Sequence, residues 1–109
     1  MINRDRTYLG HMSEEIEFIT KTIANVSRDT FLEDSLLQHG ICMSIITIGE
    51  CANNLSDEFI EKHEEIPWTK IIAVRNLAAH VYRQLDMDLI WRAATIHIPQ
   101  LREFVSKNI

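Results

Sequence analysis

A chain of 109 residues, 46% apolar and 25% charged, has the make-up of one compact soluble domain over residues 1–109, with material for a single core. No apolar run approaches the roughly 20 residues needed to cross a bilayer, and Asn3-Arg4-Asp5-Arg6 has none of the character of a signal peptide, so the cytoplasm is expected and no membrane partner. A net charge of −5 excludes a protein that coats nucleic acid indiscriminately, because such affinity comes from lysine and arginine neutralising phosphates; it leaves room for a locally basic cleft.

The first element is a helix whose seam, Leu9, Met12, Ile16, Ile19, Ile23 and Val26, steps by three and four through charged residues. Residues 27–34 break that pattern, and a capping box of Thr30 with Glu33, or of Ser35 with Gln38, is expected to start the second helix. That helix, about residues 33–55, is apolar on most sides (Leu36, Leu37, Ile41, Ile45, Ile46, Ile48, Leu55) and must be covered on more than one face, within a bundle and by another chain. Ser56 caps a short charged helical turn reaching residue 62, and Pro67 suits the first turn of the next helix, which continues through Trp68, Ile71, Ile72 and Val74. Asp86 or Asp88 is expected to cap a last helix with Leu89, Ile90, Trp91 and Ala94, kinked by Pro99 before Leu101 and Val105. The sum is an all-α, up-down four-helix bundle with an additional short helix.

Cys42 and Cys51 lie nine apart on one predicted helix, about 13 Å along its axis and on opposite faces, so they cannot bridge each other and read as small buried hydrophobes. His11, His39, His63 and His97 show neither an H-E-x-x-H spacing nor cysteine partners, which speaks against zinc; His63-Glu64-Glu65 reads as a solvated turn.

The most informative stretch is Val74-Arg75-Asn76-Leu77-Ala78-Ala79-His80-Val81-Tyr82, an R-x4-H-x-Y pattern on an otherwise apolar helix. A core helix needs none of the three polar groups. A fixed cation, a group titrating near neutrality and a phenol are what phosphodiester cleavage uses. Arg75 and Tyr82 share a face, but His80 is about 140° round from Arg75 on a straight helix. Either the helix unwinds near His80, or two chains share a cleft. Glu50 needs a basic partner among its apolar neighbours, with Arg75 the natural candidate, and Gly49 beside it permits close helix contact. Lys70, Arg83 and Arg92 are surface charges close enough in sequence to supply a basic rim.

Five blocks carry a resemblance: Arg6-Thr7-Tyr8-Leu9-Gly10-His11-Met12, Ile48-Gly49-Glu50-Cys51-Ala52, Ile66-Pro67-Trp68, Arg75-Asn76 with His80 and Tyr82, and Ile98-Pro99-Gln100-Leu101. In this order and on a chain of this length, the sequence resembles the HepT-like toxins, ribonucleases of the HEPN superfamily. The resemblance implies a HEPN-like bundle, a homodimer with paired motifs across the interface, and a toxin–antitoxin role. His80 would then serve as general base or acid, taking the 2′-hydroxyl proton of RNA or protonating the leaving 5′-oxygen. Arg75 would hold the non-bridging phosphate oxygens, and Asn76 and Tyr82, with Glu50, would position. The nucleophile is internal to RNA, so no metal and no cofactor is needed, the product is a 2′,3′-cyclic phosphate, and DNA is inert. The resemblance also implies an MntA-type nucleotidyltransferase antitoxin that attaches AMP to Tyr82, bringing negative phosphate into the site against RNA.

A second function class stays open: a non-catalytic HEPN adaptor binding a nucleotidyltransferase or a nucleotide, with the motif as an interface. The acidic balance favours the adaptor and the intact motif favours the ribonuclease.

Overall fold

A computed structural model describes residues 1–79 and 87–109, and the described residues are helices and short turns with no strand among them. In chain order the helices are α1 (Asn3–Ile23), α2 (Arg28–Glu33), α3 (Ser35–Asn53), α4 (Asp57–Lys62), α5 (Trp68–Ala79), α6 (Met87–Arg92), a π turn (Ala93–His97) and α7 (Ile98–Asn108). α3 is central, packed against α1 on one side and α5 on the other, while α7 and the π turn close on α1. No helix among the described residues is long and apolar enough to cross a membrane.

The seam of α1 is buried as its spacing predicts, with Leu9, Met12, Ile16 and Ile19 in the core. One residue on that seam is a carboxylate. Asp5, four before Leu9, is 3% exposed and accepts from the backbone N–H and the hydroxyl of Ser56, each at 2.7 Å. Both interactions satisfy a buried anion with donors, as its burial demands. They also fasten the start of α1 to the joint between α3 and α4.

The segment 27–34 is not a break but a short helix, α2, which the described residues carry in addition to the expected short helix α4. Neither expected capping box forms. Ser27 caps α2, accepting from the N–H of Thr30 at 3.1 Å, and Asp34 caps α3, accepting from Leu37 N–H at 3.0 Å. The extended backbone of Asp34 (φ −113°, ψ 97°) ends one helix and starts the other, which is why α3 begins at Ser35. α2 is retained by Phe31, fully buried, with its ring 5.2 Å from that of Trp91. Leu36, expected to be covered, is 83% exposed. Ser56 does cap α4, accepting from Phe59 N–H at 3.1 Å.

Asp86 lies outside the described residues, and Asp88 is not a cap. It sits inside α6, where its carboxylate accepts from Arg28 Nε at 2.6 Å and Arg28 Nη2 at 2.5 Å, joining α2 to α6. These hydrogen bonds hold its carboxyl below the usual carboxylate range. The stabilisation from Asp88 is therefore complete at neutral pH and is lost as pH falls through that lowered value. The expected interruption at Pro99 takes the form of the π turn immediately before it, which widens the hydrogen-bond ladder where proline offers no N–H.

α5 leans on α3 and leaves a groove of about 430 Å³ between itself, α3 and α7, walled by Ile45, Ile48, Ile71, Val74, Ile98 and Leu101. The bundle is thus open along one flank of the motif helix. Elsewhere it holds slack of another kind: Gly10, within α1, has nothing within 4 Å of where a Cβ would stand. Gly10→Ala should stabilise the protein by about 0.5–1 kcal/mol through helix propensity, read as a rise in thermal midpoint; a fall would show a neighbour the single chain does not contain.

Candidate active site

α5 is held at its start by aromatic packing. Its first carbonyl, from Pro67, accepts from Lys70 N–H at 3.0 Å and Ile71 N–H at 3.1 Å, while the Trp68 indole donates to the carbonyl of His63 at 2.9 Å. Residues 63–65 form the expected turn with Glu64 and Glu65 exposed, but His63 is half-buried, its ring 4.5 Å from Phe59 and 5.1 Å from Phe104. This cluster fixes the angle at which α5 leaves the α4 joint, and with it the position of Arg75 two turns on.

Arg75 faces α3 at its closest approach. A Cβ on Gly49 would fall against the Cβ of Arg75 and within 2.6 Å of its Cγ, so only glycine lets the two backbones come this near. Glu50, one residue on, places Oε1 3.3 Å from Arg75 Nε. The arginine side chain is 23% exposed and the glutamate 51%. Arg75 Nε is buried and its alignment with Glu50 falls short of a hydrogen bond. The pair is an electrostatic contact at the edge of the fold: the base of the guanidinium is locked between helices while part of the side chain reaches the surface. A carboxylate this exposed steers the arginine and does not neutralise it.

Asn76 is exposed on the same helix, about 100° round from Arg75. His80 and Tyr82, and with them Arg83, lie outside the described residues. Lys70 lines the apolar groove, about 140° from Arg75 around α5, and Arg92 is exposed at the end of α6. The structure thus brings Arg75, Glu50 and Gly49 together and puts Lys70 on the other flank of the helix. Among the described residues no group of three or more His, Cys, Asp or Glu side chains is placed to hold a metal.

Sequence reasoning passed over Asp5, whose signal was legible: an acid in register with Leu9, Met12 and Ile16 on the buried face. The cysteines behave as expected. Burial pushes the thiols of Cys42 and Cys51 up to about 11, with Glu15 and Glu50 adding to the effect at Cys51. At neutral pH both stay protonated, and iodoacetamide should modify them far more slowly in the folded than in the unfolded chain, as mass spectrometry would report. Fast labelling of the native protein would contradict their burial.

The family profile described as ribonuclease HepT-like matches residues 12–108, which includes Gly49, Glu50 and Arg75. The chain belongs to the HepT-like ribonuclease family. Within it, the HepT-like chain is 33% identical over 102 residues to a protein of Caldanaerobacter subterraneus subsp. tengcongensis provisionally named an RNase, covering 94% of this chain and 91% of that one. It is 29% identical over 97 residues to a Thermococcus cleftensis protein provisionally named ribonuclease HepT, covering 89% and 88%. A third relative, from Methanocaldococcus jannaschii, is named a gamma-glutamylcyclotransferase and provisional RNase; there the identity is 33% over 102 residues, and the match takes in 94% of this chain but 46% of the longer protein. No solved structure matches.

Proposed function

We propose that the protein is a metal-independent endoribonuclease toxin that cuts RNA by attack of the substrate's own 2′-hydroxyl at a site shared by two copies of the chain. The observation that carries this reading is Arg75, a cation whose base is wedged against Gly49 and steered by Glu50, four residues before Ala79 closes the described part of α5. A guanidinium held this way is already oriented when charge develops on the non-bridging phosphate oxygens, which is when stabilisation counts.

In the reaction, one His80 takes the proton of the 2′-hydroxyl, the 2′-oxygen bonds to phosphorus, and the bond from phosphorus to the 5′-oxygen breaks. A second His80, from the other copy, gives its proton to that leaving oxygen. The products are a 2′,3′-cyclic phosphate and a 5′-hydroxyl. Two copies are invoked because a straight helix sets His80 about 140° from Arg75. The half-covered apolar residues of α5 (Ile71, Ile72, Val74 and Leu77) support an association of that kind. Asn76 and Tyr82 position the RNA backbone.

In the same reading a nucleotidyltransferase antitoxin of the MntA type neutralises the toxin. It transfers AMP from ATP to the Tyr82 hydroxyl with release of pyrophosphate, and the new phosphate then competes with RNA for Arg75. The test is incubation of total RNA with purified, unmodified protein in excess EDTA. Cleavage leaving cyclic phosphate ends, with DNA untouched, is the expected result; an intact RNA pool overturns it. A second reading, a non-catalytic adaptor for a nucleotidyltransferase, draws on the −5 charge and the open apolar groove; it expects a stable complex and no cleavage.

A further inference from the structure

The N-terminal block of α1 carries polar and aromatic residues that the chemistry above does not use, with Tyr8 packed in part against the core. Arg4, Tyr8, His11, Glu15 and Phe18 recur at helical spacing as a second stripe beside the buried seam. Tyr8 is half-buried, His11 is exposed and Phe18 is 47% exposed. The two rings nearest the start, Tyr8 and His11, meet edge to face with centroids 6.4 Å apart.

Three contacts set where this stripe lies. Arg4 Nε donates to the carbonyl of Asn54 at 2.7 Å, Asp5 accepts from Ser56 at 2.7 Å, and a Cβ on Gly40 would be 3.8 Å from the Phe18 ring. α1 therefore runs antiparallel along α3, and the register puts Tyr8 level with Glu50 and His11 level with Thr47. α5, with Arg75, flanks the other side of the same α3 face. Along that face α3 shows solvent Met43, 63% exposed, and then Glu50.

We propose that Tyr8 and His11 form the second wall of the site, across α3 from Arg75, and that this wall holds single-stranded RNA. A base stacks on the Tyr8 ring and an imidazole N–H of His11 donates to a backbone phosphate. Aromatic faces interleaved with donors to phosphate are how proteins hold unpaired RNA. Arg4, His11 and Arg75 set donors along this side of the bundle, interleaved with the carboxylates of Glu15 and Glu50, while Lys70 lies on another. The inference rests on the ribonuclease reading and extends it from the reacting phosphate to the neighbouring nucleotides.

The test uses full-length protein and short single-stranded 2′-O-methyl RNA, which binds but has no free 2′-hydroxyl to attack, with affinity read by fluorescence anisotropy. Tyr8→Ala should weaken binding about tenfold or more, the scale of one lost base stack, and Tyr8→Phe, which keeps the ring, should restore it. His11→Ala should weaken binding several-fold. In cleavage assays these losses fall on KM and not on kcat. Should Tyr8→Ala lose its fold, the exposed His11 decides: unchanged affinity in His11→Ala overturns the wall. Unchanged affinity in both variants beside a loss in Arg75→Ala also overturns it while leaving the reaction site standing. No loss in Arg75→Ala either counts against the ribonuclease reading itself. Sedimentation separates the remaining outcome, in which Tyr8→Ala dissociates the oligomer at unchanged RNA affinity; that assigns the face to a second copy of the chain and overturns RNA binding there.

Discussion

His80→Ala is expected to slow RNA cleavage in excess EDTA by about 10²–10⁴-fold, the range over which a positioned acid–base group acts. Arg75→Ala should cost about 10²–10³-fold, as loss of a fixed donor to developing negative charge does. Arg75→Lys should recover little of it, because a lysine ammonium lacks the planar fork that holds two phosphate oxygens at once. The double variant should fall only slightly below His80→Ala alone, since groups that act on one transition state are not additive. Single-turnover rates on a labelled oligonucleotide would measure all four. If both single variants cut at the wild-type rate, the motif is not the site, whatever else the protein does to RNA.

The second large effect is on the fold. Gly49→Ala places a methyl against Cβ and Cγ of Arg75, atoms at the root of the side chain that cannot swing away. α5 must move off α3, and overpacking of this kind costs about 1–3 kcal/mol. Alanine's better helix propensity returns up to ~1 kcal/mol of that, so a net loss of about 1–2 kcal/mol is expected. For a domain of this size that is a drop of roughly 4–15 °C in Tm. The same shift moves Arg75 relative to Glu50, so cleavage should fall further than stability alone explains when measured well below the midpoint. A variant as stable as wild type would mean the two helices do not meet as closely as described. Gly10→Ala, the same chemical change in open space, is the control and should move the midpoint the other way.

Much of the helical framework was legible in the chain. The seam of α1, the cap at Ser56, the helix entered at Pro67 and the disturbance before Pro99 all follow from local rules of spacing, capping and missing N–H groups. Those rules work because each needs only residues within a turn or two. Around the second helix the local rules misled: Thr30 or Ser35 was the expected cap, and Ser27 and Asp34 are the residues that cap. The choice of Ser27 and Asp34 was made by Phe31, which reaches the core near Trp91 only if residues 28–33 form a helix of their own. Asp88 illustrates the same limit. Its sequence position suits a cap, but Arg28, sixty residues away, takes its carboxylate.

By itself the sequence determined the all-helical class, the core seam of α1, the buried unpaired cysteines and the motif around Arg75, because periodicity and residue chemistry are properties of a segment. The sequence also pointed to Arg75 as the partner of Glu50 and to close contact at Gly49, but only the tertiary structure decided that Arg75 itself is wedged on Gly49, that Lys70 faces an apolar groove, and that Asp5 ties α1 to the end of α3. It also decided the register that sets Tyr8 level with Glu50 and His11 level with Thr47. Each of these depends on the distance and register between helices. Those are set by how side chains of unlike size fill the space between two backbones, a quantity that no single segment contains.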